Sequence, residues 1–109
     1  MMPEKEPLLK QELVVQLDVL EKAIQSLEHS YRKCKTINLE QEFNDDLYEP
    51  FDALTSRFAR ASDIFTQKVL GLIDELELED RGSLLDRFNR AERRGILSSA
   101  EEMKRVREL

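Results

Sequence analysis

Between Leu13 and Cys34 the apolar side chains fall at Leu13, Leu17, Leu20, Ile24, Leu27, Tyr31 and Cys34. Steps that alternate four and three keep all of these groups on one stripe of an α-helix, because 3.6 residues complete a turn. Glu12, Gln16, Asp18, Glu21, Lys22, Gln25 and Glu28 lie between them and form the water-facing side. The spacing predicts a helix from about Leu8 to Lys35. Its stripe has to be covered by other helices or by a second copy of the chain.

The same rhythm returns at Leu47, Phe51, Leu54, Phe58, Ala61, Phe65, Val69, Leu72 and Leu76, with one extra step of four, and Ile64 and Ile73 widen the stripe. This predicts a second long helix ending near Leu78. Pro50 sits in its opening turn, where a missing N–H costs nothing. The intervening Thr36–Asp46 stretch holds Asn38, Asn44, Asp45 and Asp46, whose side chains compete for backbone hydrogen bonds, so it reads as a connection. A short helical turn is expected around Leu39–Phe43 within it. Gly82 supplies a left-handed residue to close the second helix. Gly71, inside that helix, calls for close approach by a neighbour.

Ser83 and Asp86 have the spacing of a capping box, which opens a third helix over about Leu84–Arg94. Leu84, Leu85, Phe88 and Ala91 point inward, and Gly95 ends the helix. Ser98 or Ser99 then caps a fourth helix, with Glu101 and Glu102 in its first turn and Met103 and Val106 on its apolar face. No Gly, Asn or Pro closes it before Leu109, so it reads as an element cut in mid-course. The fold expected is all-α: a single domain over 8–109 after a flexible 1–7, built as an antiparallel four-helix bundle with a truncated last helix.

Composition agrees with this and narrows the function classes. Three Gly and three Pro in 109 residues leave few breakers, and 37% of the chain is charged. No apolar run approaches the roughly 20 residues of a membrane span, and the N-terminus has no secretory core, so a cytoplasmic protein with no membrane partner is expected. Net charge is −6, unevenly spread. Residues 1–80 carry 9 Lys/Arg against 18 Asp/Glu, and residues 81–109 carry 8 against 5. An acidic body does not suit nucleic-acid binding over the whole surface, which leaves a local basic face near the C-terminal third. There Arg87, Arg90, Arg93 and Arg94 read first as a solvated helix face.

The groups available for chemistry are sparse. His29 is the sole histidine and lies off the apolar stripe, so it reads as an exposed helix residue. Cys34 has no Cys or His partner at metal-ligand spacing and reads as a small core residue. Paired acids at Asp45-Asp46, Asp74-Glu75, Glu79-Asp80 and Glu101-Glu102 sit at helix ends or connections, where acids are ordinary. There is no phosphate-cradling glycine loop, no His-Glu-x-x-His and no serine with a histidine in plausible relation. No metal, cofactor or catalytic residue is assigned. Phe51, Phe58, Phe65 and Phe88 lie on apolar stripes and are core before they are a base-stacking platform.

Two stretches carry a family likeness. Phe51-Asp52-Ala53-Leu54-Thr55-Ser56-Arg57-Phe58-Ala59-Arg60-Ala61-Ser62-Asp63, continuing to Gln67-Lys68-Val69-Leu70, resembles HEPN domains of bacterial toxin–antitoxin pairs. So does Leu84-Leu85-Asp86-Arg87-Phe88-Asn89-Arg90-Ala91-Glu92-Arg93-Arg94-Gly95-Ile96-Leu97. The resemblance covers the chain from about residue 45 onward, and the first helix only in general character. It implies a HEPN-like helical bundle that pairs as a homodimer. It also implies a minimal nucleotidyltransferase antitoxin as partner. Active members of the family are metal-independent ribonucleases, with an Arg and, a few residues on, a His. No histidine follows Arg107 in these 109 residues, so the resemblance brings no catalytic residue and no expectation of RNA cleavage by them. Arg57, Arg60, Asp63, Arg87, Arg90 and Arg94 match recurrent positions in the similar stretches. They are expected to make ion pairs or packing contacts, with a cleft that meets RNA or the partner protein as the alternative. A non-catalytic substrate-binding partner of a nucleotidyltransferase and a plain helical dimerisation module are the competing functions.

Overall fold

The computed structural model describes residues 5–38, 40, 44–80 and 82–108, and among these every regular element is helical. The first rod is α1, Lys5–Lys35. It includes Lys5, Glu6 and Pro7, which the sequence placed in a flexible N-terminus. Pro7 is tolerated because the first four N–H groups of a helix have no helical acceptor. The second rod joins α2, Asp45–Asp63, a π-helical segment, Ile64–Val69, and α3, Leu70–Leu76. Two short rods follow, α4 at Leu84–Arg93 and α5 at Ala100–Arg107. No helix among the described residues is long and apolar enough to cross a membrane.

The first two rods run antiparallel as a long hairpin. Lys5 Nζ meets Glu75 Oε1 at 3.0 Å at one end, and Cys34 Sγ–H donates to the Pro50 carbonyl at 3.3 Å at the other. The short rods lie at the Glu75 end, so the molecule is elongated, 59 × 27 × 19 Å. The core is correspondingly lopsided: Leu70, Phe88, Ala91 and Ala100 are buried together, with Phe65, Ile73, Leu84, Leu97 and Met103 packed around them. Toward the far end cover is thin, and Leu17, Ile24 and Tyr31 of the α1 stripe stay 46%, 40% and 55% exposed.

Boundaries depart from expectation at three places. The second rod opens at Asp45, not at Pro50: the Asn44 side chain accepts the Leu47 N–H at 3.2 Å, and Asp45 and Asp46 favour the positive end of the helix. Pro50 therefore lies inside α2. At its C-terminus the rod ends at Leu76, closed by Leu78 in the left-handed conformation, φ 57°, and not by Gly82. Glu79 N–H donates to the Asp74 carbonyl and Leu78 N–H to the Glu75 carbonyl, the paired bonds of a Schellman closure. Gly82 does have φ 55°, but it precedes the Ser83 cap. Third, the extra step of four at Ala61, Phe65 and Val69 coincides with the π segment. A π turn takes in one more residue per hydrogen-bonded ring, so the stripe stays in phase only by adding a residue there.

The other signals match the structure. Ser83 and Asp86 form the reciprocal capping box, Gly95 closes α4 with φ 78°, and Ser99 caps α5. The helical turn expected around Leu39–Phe43 lies outside the described residues. His29 is exposed, and Cys34 is half-buried.

Candidate functional site

The second rod carries two polar groups, Thr66 and Asp74, within its buried face. Thr66, Leu70 and Asp74 follow one another at intervals of four, and all three are buried. Opposite them α4 presents Arg87 and Arg90 and its C-cap Arg94, which at steps of three and four share one side. All three guanidinium groups converge on Asp74. Arg90 grips it at two points, Nε to Oδ1 at 3.1 Å and Nη2 to Oδ2 at 2.8 Å. Arg87 Nε donates to Oδ2 at 3.0 Å and Arg94 Nη1 to Oδ1 at 2.9 Å.

Each Asp74 oxygen thus accepts two charge-assisted bonds, which fills the capacity of a carboxylate. Burial works against the ionised form of Asp74. The bonds from Arg90, Arg94 and Arg87, with the charge of Arg90, outweigh it and hold the carboxyl below the usual aspartate range. Arg90 is raised above its ordinary value, chiefly by the hydrogen bond to Asp74. A carboxylate whose four lone-pair positions are all taken has none left for substrate or metal. Asp74 organises the site by holding the three arginines together.

Arg87 continues beyond Asp74: its Nη1 donates to the Thr66 carbonyl at 3.0 Å, inside the π segment. Its guanidinium also lies over Gly71, 3.8 Å from where a Cβ would stand. Close approach by a neighbour is therefore present at Gly71, though with room for a methyl group.

A second cluster joins α5 to the same turn. Arg107 Nη1 donates to Asp63 Oδ1 at 2.9 Å, to Ser62 Oγ at 3.0 Å and to Thr66 Oγ1 at 3.3 Å. Thr66 Oγ–H in turn donates to the Ser62 carbonyl at 2.8 Å. Thr66 thus touches both arginine systems, through its carbonyl on one side and its hydroxyl on the other. Beyond Arg107 opens a groove of about 790 Å³ between α1 and α2, lined chiefly by Leu27, Tyr31, Leu54 and Phe58.

The six residues singled out by sequence are therefore not gathered in one cleft. Arg87, Arg90 and Arg94 meet at Asp74, and Asp63 pairs with Arg107. Arg57 ties α2 to α1, donating to Ser30 Oγ at 2.7 Å and to the Ser26 carbonyl at 3.2 Å. Arg60 is exposed on α2 beside Arg57, in a shallow niche shared with Lys22. Asp74 reads in the sequence only as an ordinary acid near a helix end, Arg107 only as an arginine with no histidine after it, and Thr66 carries no signal, although each is central to the arrangement. The signal for Asp74 was its spacing of four from Leu70, a buried position, with an arginine-rich helix following.

Among the described residues no three His, Cys, Asp or Glu side chains are placed to hold a metal ion. What the arrangement offers is binding: an apolar groove with a guanidinium at one end, on a scaffold locked by two arginine clusters. No family model, no curated protein and no solved structure matches the chain.

Proposed function

We propose that the chain is the HEPN-like component of a bacterial toxin–antitoxin module and that it acts by binding, as a homodimer that engages a minimal nucleotidyltransferase. The observation that carries this is local: the second stretch with the HEPN likeness supplies Arg87, Arg90 and Arg94, which meet at Asp74, and the first supplies Ser62 and Asp63, which hold Arg107. RNA cleavage is not part of the proposal for these residues, because the only histidine is the exposed His29. One feature favours the non-catalytic reading over RNA contact. Four of the eight cations in the basic C-terminal segment, Arg87, Arg90, Arg94 and Arg107, are engaged with Asp74 or Asp63. Phosphate binding needs cations that are free to replace counterions.

The test is co-purification and calorimetric titration of this chain with a nucleotidyltransferase encoded beside its gene. A stable complex is expected, and no RNA turnover by the chain alone. Absence of such a neighbour, or failure of the two proteins to associate at micromolar concentration, would remove the partner reading. Metal-independent cleavage of RNA by the purified chain would replace it with a catalytic one.

A further inference from the structure

We infer that the niche between α1 and α2 at Lys22, Arg57 and Arg60 binds a single phosphate group, carried by inorganic phosphate or by a small phosphomonoester. One chain supplies the whole site, so it depends neither on self-pairing nor on a nucleotidyltransferase.

Arg57 gives the first reason. Among the described residues five arginines are not exposed: Arg57, Arg87, Arg90, Arg94 and Arg107. Four of them hold a carboxylate, at Asp74 or Asp63. Arg57 does not. Its Nη1 donates to Ser30 Oγ at 2.7 Å and to the Ser26 carbonyl at 3.2 Å, both neutral acceptors. Ser30 is itself 3% exposed, so the guanidinium is fixed between the two helices. Taking a charge partly out of water without a counterion is unfavourable, and a bound anion removes that cost. The Nε and Nη2 donors have no partner among the described residues, and together they match two oxygens of a phosphate.

The rest of the niche gives the second reason. It is a hollow of about 260 Å³ lined by Val19, Lys22, Ala23, Ser26, Arg57 and Arg60, which include three cations and no acid. Arg60 is exposed and makes no ion pair among the described residues. Four carboxylates lie within one helical turn of these residues. Asp18 sits against Lys22 at 3.0 Å, Asp63 is held by Arg107, and Glu21 and Glu28 line the groove that runs past Leu20 and Ile24. Three cations less the charge of Asp18 leave an excess of two, the counterpart of a phosphomonoester carrying about −1.5 to −2 at neutral pH.

The same surroundings limit the ligand. No aromatic side chain lines the niche, so a nucleobase has nothing to stack on. Residues 1–80 carry 18 acids against 9 Lys/Arg, which opposes a polyanion laid along the hairpin. One phosphate group on a small molecule meets neither obstacle.

The experiment is calorimetric titration of the full chain, in buffer free of phosphate and sulfate. The probes are inorganic phosphate, ribose 5-phosphate, AMP and a single-stranded RNA without terminal phosphates. One saturable site per chain is expected, with similar affinity for the first three and weaker binding of the RNA. Lys22 and Arg60 are exposed, so Lys22→Gln and Arg60→Gln should keep the helical circular dichroism. Each should weaken phosphate binding roughly tenfold or more, the worth of a charge-assisted hydrogen bond. Arg57→Lys keeps the charge, gives up the planar fork and should weaken binding as well. Arg93→Gln removes an exposed cation on α4 and should leave binding unchanged. No saturable binding by wild type overturns the inference, as does an equal loss in Arg93→Gln or none in Arg60→Gln. Tighter binding of AMP than of phosphate, or of the RNA than of either, overturns the ligand class.

Discussion

Asp74 is 4% exposed and ringed by three arginines, so its loss exposes the chemistry of the cluster more directly than any other substitution. Without the carboxylate, guanidinium groups remain packed against each other, and breaking such a buried pair costs about 3–5 kcal/mol. Asp74→Ala should lower the unfolding free energy by about that amount in urea titrations at neutral pH. A loss below about 1 kcal/mol would mean that the arginines relax to solvent freely. The folded pKa of Asp74 lies below its unfolded value of about 3.9. The unfolded chain therefore binds the proton more readily, and the contribution of Asp74 is complete above that value. It fades as pH falls from about 4 through the lower folded pKa. Asp74→Asn should show a shallower acid limb of stability than wild type in this range, and equal limbs would refute the assignment.

Leu78 shows the same logic in the backbone. A non-glycine residue at φ 57° costs roughly 1–2 kcal/mol, and its side chain is 67% exposed. Leu78→Gly should stabilise the chain by about 0.5–1 kcal/mol, read as a higher urea midpoint at unchanged slope. A lower midpoint would show that the leucine side chain is packed in solution. This site also shows where legibility ended. The sequence has a glycine at 82 that fits a helix stop, but the stop falls at the last residues able to wind before the chain must turn toward the Ser83 cap. The capping box, Gly95 and Ser99 were readable because each is a local hydrogen-bond motif with fixed spacing. Asp74 was not, because its partners arrive from another helix and only packing brings them together.

At the scale of elements, the π segment explains why the second rod can bury Ala61 and Ser62 on one side of the turn and Val69, Leu70 and Asp74 on the other. The extra step of four in the apolar spacing was visible, but its meaning was not, since the same pattern fits a slight widening of the stripe. A single deletion separates the two. Removing exposed Gln67 should convert the segment to ordinary α-helix and leave both faces in phase. The expected cost is the Arg87 bond to the Thr66 carbonyl, about 1–3 kcal/mol for a charged donor. Removing exposed Gln25 from α1, where no surplus residue exists, rotates everything beyond it by about 100° and should unfold the hairpin. Comparable tolerance of the two deletions would mean that the π turn absorbs no phase difference.

Across the whole molecule, stability is set by the lopsided core. Leu70, Phe88, Ala91 and Ala100 are buried at one end, where the two arginine clusters also sit. The far end of the hairpin has the half-buried Cys34 against the Pro50 carbonyl, and a proline inside α2 that removes one helical hydrogen bond. Local opening takes least free energy where few apolar contacts are broken. Amide exchange should therefore be slowest over 69–74 and 88–91 and fastest at the ends of α1 and α2 that meet near Cys34 and Pro50. Dilution adds the deciding observation. If a second copy covers the α1 stripe, exchange over 17–31 and 54–58 should quicken as protein concentration falls, while 69–74 stays unchanged. Protection that is uniform along both rods would contradict a core gathered at one end. Protection at the far end that ignores concentration would show that something within a single chain already covers the stripe.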